Sequence, residues 1–213
     1  MKTLRTYEDF KAIVFHKKQV AISKEAKNLI EESYNFLKEF ANDKIIYGVN
    51  TGFGPMAQYR IEPEDQLQLQ YNLIRSHASG CGEVFDIKTV RAAILCRLNS
   101  LSLGKSGVHI EAIELMRDLL NYRITPLIFQ HGGVGASGDL VQLAHLALVL
   151  IGEGEVFYKG LRRPTAEVFA EVGIKPLQIR LREGLSLMNG TSVMTGLAGV
   201  NLYYAEKLLD WTV

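Results

Sequence analysis

The fold is decided by one glycine-rich stretch, His131-Gly132-Gly133-Val134-Gly135-Ala136-Ser137-Gly138-Asp139. Four glycines within eight residues exclude a helix and favour a loop with sharp bends. Asp139 has a helix-capping side chain, and the apolar residues 140–151 that follow have the length of a buried helix. The stretch therefore predicts a tight loop at the N-terminal ends of helices, with Asp139 in a position to cap the next one.

The same loop contains residue types that permit a reaction of the backbone. If a turn brings the Gly138 amide nitrogen onto the Ala136 carbonyl carbon, a five-membered ring can close. Loss of two waters, one of them from the Ser137 hydroxyl, then leaves a methylidene-imidazolone, which is an electrophile. Gly138 has no Cβ to obstruct the attack, and Ala136 leaves the carbonyl uncrowded. On their own, however, these three common residues are far more typical of a plain loop.

Helical periodicity dominates the rest of the chain. Helices are predicted over residues 24–42, 63–79, 87–103, 110–121, 140–151 and 200–213, and residues 183–199 are also helical with a break at Asn189-Gly190. Short extended runs are predicted at residues 19–22, 44–49 and 124–129, and as a hairpin of 155–158 with 161–163. The sequence thus predicts a mainly α fold with a few short β-strands and no large parallel sheet.

Composition excludes several classes of function. The chain has 24 Lys and Arg against 23 Asp and Glu, a formal net charge of +1, which is not the basic surface of a protein that binds nucleic acid or an anionic membrane. No stretch approaches the roughly 18 uncharged apolar residues of a membrane span, and charges among the first residues argue against a signal peptide. Cys81 and Cys96 form neither a metal-ligand spacing nor a disulfide framework. We expect a cytoplasmic protein without a metal, a membrane or a nucleic-acid partner.

Three segments taken together resemble one known family. Residues 131–140, HGGVGASGDL, resemble the cofactor segment of the aromatic amino-acid ammonia-lyases, which act on histidine, tyrosine or phenylalanine. Residues 47–54, YGVNTGFG, resemble the mobile inner loop of that family, and residues 184–191, GLSLMNGT, resemble its third N-terminal signature. The segments occur in the family's order and at similar separations. The resemblance covers essentially all of the chain and corresponds to the family's N-terminal half.

This resemblance implies a fold, a cofactor and an assembly. The fold would be the N-terminal domain of the ammonia-lyases, within the fumarase/aspartase-like superfamily, with residues 1–199 as the cofactor-bearing domain and residues 200–213 as the start of a central helical core. Ala136, Ser137 and Gly138 would form 4-methylidene-imidazol-5-one (MIO) autocatalytically and without a metal. The implied protein is a homotetramer that acts on a small-molecule aromatic amino acid.

The resemblance also assigns roles to individual residues. Tyr47 matches the general base, which would remove the weakly acidic Cβ proton of the substrate. A tyrosine is a poor base at neutral pH unless its phenolate is stabilised, and the positive ends of helices provide one way to do so. Gly54 matches a glycine that lies against the substrate. Asn189 matches an asparagine that contacts the imidazolone oxygen and the amino or carboxyl end of the substrate. Asp139 would either support the cyclising turn or only cap the next helix.

Ser76 and His77 match the pair that lies near the substrate ring and governs selectivity in this family. A Ser-His pair implies histidine, whereas the chain as a whole is most similar to a bacterial group with tyrosine ammonia-lyase activity. One imidazole can hydrogen-bond either a phenol hydroxyl or another imidazole. The expected reaction is therefore elimination of ammonia from L-tyrosine to give p-coumarate or from L-histidine to give urocanate, and the residues leave both open.

Two other interpretations stay open. In the family, the second half of the chain supplies a second tyrosine and an arginine that binds the substrate carboxylate, and no position here matches them. The 213-residue chain is therefore expected to be inactive on its own, and one interpretation is a non-catalytic folding or association domain with an uncyclised Ala136-Ser137-Gly138 loop. The other is an aminomutase that shares the cofactor and is told apart by its product.

Overall fold

The computed structural model describes residues 6–42 and 44–212, and more than half of them are helical. The α-helices, in chain order, are α1 (Tyr7–Val14), α2 (Lys24–Phe40), α3 (Pro63–His77), α4 (Ile87–Leu101), α5 (Ile110–Tyr122), α6 (Leu140–Leu150), α7 (Thr165–Val172), α8 (Glu183–Met188) and α9 (Ser192–Thr212). The strands are β1 (Cys81–Val84), β2 (Thr125–Pro126), β3 (Phe129–His131), β4 (Glu155–Tyr158) and β5 (Leu161–Pro164). The predicted fold class, mainly α with a few short strands, is confirmed.

The strands form two small antiparallel sheets. In the first, β1 pairs with β3, and Cys81 lies opposite His131. In the second, the order is β2-β4-β5, and β4 and β5 form the predicted hairpin. Since β3 ends at His131, the β1–β3 pair fixes the start of the glycine-rich stretch in space.

Helix α4 lies at the centre of the hydrophobic core. It packs against α1, α5 and α9, and its residues Val90, Ile94 and Leu95 are almost completely excluded from solvent. Burial of each such side chain stabilises the fold by roughly 1.5–3 kcal/mol. Gly196 allows α9 to approach closely, because a Cβ at this position would lie 2.7 Å from the backbone nitrogen of Ala93. The N-terminal half of α9 is therefore held rigidly against α4.

Helix α6 forms a second layer with α3 and α8. It packs against both of them, and α3 also packs against α8. Its residues Leu143, Ala144 and Ala147 are fully buried, which explains why this segment is so apolar. Segments 131–140 and 184–191 overlap α6 and α8, and segment 47–54 is bonded to α3 through Gln70. The packing of these three helices therefore sets the geometry of the candidate site.

The strand predicted at residues 19–22 is wrong. The backbone there is irregular, and the side chain of Asn121 takes the place of a partner strand. Its Oδ1 accepts a hydrogen bond from the Val20 nitrogen at 2.8 Å, and its Nδ2 donates to the Val20 oxygen at 2.9 Å. A side-chain amide has thus satisfied the backbone groups that a ladder would have paired.

The extended run predicted at residues 44–49 is also wrong, because the chain turns there. The side chain of Asn50 closes the turn. Its Oδ1 accepts from the Ile46 nitrogen at 2.8 Å and its Nδ2 donates to the Lys44 oxygen at 2.7 Å. Local bonding by asparagine again competes with regular structure.

Other differences concern the ends of elements. Helices α3 and α4 each end two residues before the predicted position, and the final helix, predicted over 200–213, already begins at Ser192. Val213 lies outside the described residues. The predicted break at Asn189-Gly190 is confirmed, since it separates α8 from α9. Helix α1 and strand β1 were not predicted.

Candidate active site

The potential cyclising residues lie in an exposed turn between β3 and α6. Ala136 and Ser137 are exposed, and φ is 60° at Ser137 and 85° at Gly138. A positive φ is uncommon for a residue other than glycine and stores local strain. The structure thus places an unusual backbone conformation at the residue whose side chain would supply one of the two lost waters.

Gly190 holds this turn in place from the other side. Gly138 and Gly190 form a parallel bridge, and the Asp139 nitrogen donates to the Gly190 oxygen at 2.8 Å. A Cβ at Gly138 would lie only 2.2 Å from that oxygen, so this position requires glycine. The structure therefore brings the cyclising turn against the residue that follows Asn189, whose side chain is exposed.

Asp139 caps a helix, but not the predicted one. It is the N-cap residue of α6 without any side-chain bond to that helix, so the capping prediction is wrong in its target. The carboxylate instead accepts from the backbone nitrogens of Val193 at 2.8 Å and Met194 at 3.0 Å, in the first turn of α9. This arises because the N-termini of α6 and α9 meet at the turn, where a negative charge is favourable to the α9 dipole. The glycine-rich stretch thus lies at two helix N-termini, as predicted.

The residues of the turn fit the proposed ring. Gly138 has no Cβ, and a Cβ at this position would clash with the Gly190 oxygen. Ser137 already has a strained backbone conformation. Ala136 is small and exposed. The backbone of Gly190 and the carboxylate of Asp139 would hold such a group in position. Both contacts use atoms that ring closure leaves intact.

Tyr47 and Gly54 are brought together by the inner turn. The phenol oxygen of Tyr47 accepts a hydrogen bond from the Gly54 nitrogen at 3.3 Å, and its ring meets that of Phe53 edge to face, with centroids 6.0 Å apart. Tyr47 is 49% exposed. The exposure leaves the side chain accessible to a small molecule.

Gln70 links this inner turn to α8, and sequence reasoning missed it. It is fully buried, its Nε2 donates to the Gly48 oxygen at 3.1 Å, and its Oε1 accepts from the Leu185 nitrogen at 3.3 Å. A Cβ at Gly48 would lie 2.4 Å from Leu185 Cδ2, so the two segments are in close contact. The sequence signal for its burial is the position of Gln70 one helical turn before Leu73 and Ile74. Residues at this spacing share one face of a helix, and Leu73 and Ile74 are buried on α3.

Ser76 and His77 lie at the C-terminal end of α3. His77 Nδ1 lies 2.9 Å from the Leu73 oxygen, and the Ser76 hydroxyl donates to the same oxygen at 3.2 Å. Because a carbonyl can only accept, a hydrogen bond from Nδ1 places a proton there, and the neutral imidazole then has Nε2 as an acceptor. His77 is partly exposed, so this acceptor is available to a donor on a substrate ring.

The chain after His77 runs beside the start of the glycine-rich stretch. The Gly80 nitrogen donates to His145 Nε2 at 3.0 Å, and a Cβ at Gly132 would lie 3.2 Å from the Gly80 Cα. Burial lowers the pKa of His145, which suits its role as a neutral acceptor. His145 is thus a structural histidine that ties the chain after α3 to α6.

Glu183 is a second buried polar residue that sequence reasoning missed. Its two carboxylate oxygens accept from the backbone nitrogens of His109 and Arg180, each at 2.7 Å. Burial raises the pKa of Glu183 to about 7, although these hydrogen bonds oppose the shift. The residue anchors the first turn of α8, the helix that leads to Asn189.

The predicted residues therefore form two groups joined by helices. The first is the 136–139 turn with the Asn189-Gly190 segment, and the second is Tyr47 with Gly54. Gln70 and α8 connect them, and Ser76-His77 joins through α3.

A separate cavity of about 810 Å³, between α5 and residues 173–180, is lined by none of these residues.

The part of the chain that the structure describes contains neither a membrane-spanning helix nor a metal-binding cluster. Within residues 6–42 and 44–212, no helix has both the length and the apolar character needed to cross a bilayer. The same part of the chain gathers no cluster of three or more His, Cys, Asp or Glu side chains suited to a metal ion.

Comparison with known proteins supplies a family match. A family model described as "Aromatic amino acid lyase" matches residues 5–213. A histidine ammonia-lyase from Geobacillus sp. (strain WCH70) is 46% identical over 204 residues, 95% of this chain and 40% of that protein. A tyrosine 2,3-aminomutase from Myxococcus fulvus is 51% identical over 164 residues, 77% of this chain and 31% of that protein.

A solved structure agrees with these matches. The tyrosine aminomutase from Streptomyces globisporus superposes with a TM-score of 0.86 at 38% identity, covering 93% of this chain and 37% of that one. The chain thus spans about two fifths of the length of the relatives that it matches.

Proposed function

The chain belongs to the aromatic amino acid lyase family, and from this premise we propose that the protein carrying it is an aromatic amino-acid ammonia-lyase. The proposed reaction is the non-oxidative elimination of ammonia from L-histidine or L-tyrosine. The observation that carries the proposal is the strained turn at Ser137-Gly138, held by Gly190 at the N-termini of α6 and α9. Relatives named as histidine ammonia-lyases support the lyase class.

In this proposal Ala136, Ser137 and Gly138 form the MIO ring, which supplies an electrophile that activates the substrate toward loss of ammonia. Gly138 would be held by the Gly190 oxygen, and Asp139 would keep the turn at the α9 N-terminus. Asn189, exposed beside Gly190, would donate hydrogen bonds to the ring oxygen or to the substrate.

Tyr47 is proposed as the base that removes the Cβ proton. Its phenol oxygen already accepts from the Gly54 nitrogen, a bond that strengthens as negative charge develops on the oxygen. Gly54 would also let the substrate approach closely, since a Cβ there would meet nothing within 4 Å and the space is open. Base catalysis of this kind contributes typically about 10² to 10⁴-fold.

His77 is proposed to select the substrate ring, with Ser76 beside it. Its Nε2 acceptor suits the hydroxyl of tyrosine or the N–H of a histidine imidazole, whereas phenylalanine offers no donor. A site built to hydrogen-bond a substrate group rejects an analogue that lacks it. We therefore expect His77→Phe to shift kcat/KM away from histidine and tyrosine and toward phenylalanine. Unchanged relative kcat/KM for the three amino acids would remove His77 from the site.

An aminomutase is the second candidate, because relatives named as tyrosine aminomutases match this chain at 51% and 38% identity. Such an enzyme would return the amino group to Cβ instead of releasing it. The two reactions share the groups described above and are distinguished by whether a β-amino acid accumulates.

Assembly and domain organisation are proposed from α9. Its C-terminal part exposes apolar side chains, namely Leu202, Leu208, Leu209 and Trp211. An exposed apolar patch marks an interaction surface, which supports a homo-oligomer, proposed to be a cytoplasmic tetramer. The division into a cofactor-bearing domain, 1–199, and the start of a helical core, 200–213, is proposed with its boundary inside α9.

The test is product analysis on the protein at its natural full length, supplied in turn with L-histidine, L-tyrosine and L-phenylalanine. We expect urocanate or p-coumarate by ultraviolet absorbance, with equimolar ammonia, and an intact mass about 36 Da below the sequence mass because two waters are lost. A β-amino acid as the main product would identify an aminomutase. A mass equal to the sequence mass, with no product, would support the non-catalytic association domain and overturn the proposal. For the 213-residue chain alone we propose no turnover.

A further inference from the structure

Arg97 on α4 is a buried cation whose role the proposed chemistry does not explain. Only 5% of its surface is exposed, its guanidinium donates to the Ser186 oxygen on α8, and its Nε has no hydrogen-bond partner among the described residues. Burial of a charge is costly unless the charge is paired and fully hydrogen-bonded.

The guanidinium lies directly behind Gly190. Gly190 has a φ of 149°, and a Cβ there would come within 2.5 Å of Arg97 Nη1. On the opposite side, the Gly190 oxygen lies against Gly138 and accepts from the Asp139 nitrogen. The backbone at Gly190 is therefore held between the Arg97 guanidinium and the cyclising turn.

A cavity lies beside Gly190 on the α4 side. It has a volume of about 440 Å³ and borders Arg97, Gly190, Thr191 and Ser192, so the contact with the guanidinium is what keeps Gly190 from shifting toward this space. Its bond to Ser186 ties the same guanidinium to α8, the helix that ends just before Asn189.

Electrostatics keep this guanidinium charged. Burial lowers the pKa of Arg97 to about 10, and the nearby Asp139 carboxylate opposes that shift. At neutral pH the side chain is therefore a cation, and it lies near the Asp139 carboxylate that caps α9.

We infer that Arg97 is a positioning residue for formation of the MIO ring: it fixes Gly190 from behind and so holds Gly138 at the turn. This inference rests on the proposed function. In ring closure the Gly138 nitrogen bonds to the Ala136 carbonyl carbon, and the carbonyl oxygen leaves as water with the amide protons of Gly138 and Ser137. The Ser137 hydroxyl leaves as a second water with its α-proton, which creates the exocyclic double bond. No oxidant is required.

Arg91 is a matched control on the same helix. It is 4% exposed, its guanidinium donates to the Leu120 and Ile13 oxygens at 2.9 Å each, and its Nε likewise lacks a partner among the described residues. Neither of its acceptors belongs to the candidate site. Arg91→Met and Arg97→Met thus remove the same chemical group from equally buried positions.

The experiment follows intact mass with time after a short pulse of expression of the natural full-length protein, as wild type, Arg97→Met, Arg97→Lys and Arg91→Met. We expect Arg97→Met to lose its two waters at least about tenfold more slowly than wild type, which corresponds to about 1.4 kcal/mol of activation free energy. Arg97→Lys, which keeps the charge but lacks the planar fork, should fall between them. Arg91→Met should cyclise at the wild-type rate even where its melting temperature is lower. Turnover per ring-bearing subunit should be the same in wild type and Arg97→Met.

Wild-type cyclisation in a folded Arg97→Met would overturn the inference and leave the proposed function intact. An equal slowing in Arg91→Met would also overturn it, because the effect would then be general destabilisation. If Arg97→Met does not fold, Arg97→Lys decides, and a wild-type rate in that variant counts against the inference. A wild type that never loses two waters would overturn the proposed function first and this inference with it.

Discussion

Two glycine-rich segments carry the candidate site, and they are held in different ways. The 135–139 turn is fixed at helix N-termini: Gly190 accepts from the Asp139 nitrogen, a Cβ at Gly138 has no room, and the Asp139 carboxylate caps α9. The 47–54 segment is held by a neighbouring loop and by side chains. Backbone bonds pair it with residues 59–61, Gln70 binds its Gly48 oxygen, and the Tyr47 phenol accepts from the Gly54 nitrogen.

The difference matches the demands of the two proposed tasks. A backbone reaction needs a strained conformation that the surroundings impose, and contacts between main-chain atoms at helix ends provide it. A base that meets an incoming substrate needs an accessible side chain on a segment that is free to adjust, and Tyr47 is half exposed. Each prediction below tests one side of this contrast in the natural full-length protein.

The largest effect is expected at Gly138. Gly138→Ala places a Cβ 2.2 Å from the Gly190 oxygen, so the two segments must separate and ring closure should be abolished. Gly135→Ala is the control, because φ is also positive there, at 72°, but a Cβ would meet nothing within 4 Å. It should cost only about 1–2 kcal/mol of strain and still form the ring. Intact mass measures ring formation in both variants. If Gly138→Ala still forms the ring completely, with a mass lower by two waters, the contact with Gly190 is dispensable.

The next effect is expected at Tyr47. Tyr47→Phe should leave ring formation unchanged, as judged by intact mass, and lower kcat by about 10² to 10⁴-fold through loss of the base. Tyr59→Phe is the control, as Tyr59 is a similarly exposed tyrosine shortly after the same segment. It should retain wild-type kcat. A loss below tenfold in Tyr47→Phe would mean that this side chain is only packed against Phe53.

A smaller effect is expected at Gln70. Gln70→Leu leaves the buried Gly48 oxygen and Leu185 nitrogen without their partner, which should lower the free energy of unfolding by about 1–3 kcal/mol. It should also speed protease cleavage within residues 47–54 while ring formation continues. Gln68→Leu, at an exposed position two residues earlier on α3, should stay within about 0.5 kcal/mol of wild type. If Gln70→Leu stopped ring formation, the two segments would have to be regarded as one unit.

The smallest effect concerns α8, which joins the two segments. Burial raises the pKa of Glu183 from its ordinary 4.5 to about 7, so the folded protein binds this proton more tightly than the unfolded chain. Its contribution to stability is complete below about pH 4.5 and is lost as the pH rises to about 7. Burial lowers the pKa of His109 and His145, which gives a trend of the opposite sign and calls for a difference measurement.

The measurement compares the free energy of unfolding of wild type and Glu183→Gln, by denaturant titration across this range. The difference between them should decrease from pH 4.5 to about 7 and level off above it. A difference that stays constant over the whole range would show that Glu183 does not titrate there.

Much of the fold followed from local sequence. Helices α2 to α6 were predicted within a few residues, because apolar periodicity and capping residues such as Ser23, whose hydroxyl accepts from the Ala26 nitrogen at 3.2 Å, act over one or two turns. The two wrong strands, at 19–22 and 44–49, share a cause. Asn121 and Asn50 bond backbone groups there, and for residues 19–22 the partner lies about a hundred positions away.

The candidate site divides in the same way. Sequence by itself determined the cyclisable Ala136-Ser137-Gly138 turn, the break at Asn189-Gly190 and the family resemblance, since each depends on residue types close together in the chain. Only the tertiary structure decided that Asp139 caps α9 rather than α6, that Gln70 joins the inner turn to α8, and that Arg97 lies behind Gly190. Asp139 and Val193, paired in this way, are 54 positions apart, and Gln70 and Leu185 are 115 positions apart. Local propensity cannot encode such pairings, because they exist only once α3, α4, α6, α8 and α9 have packed together.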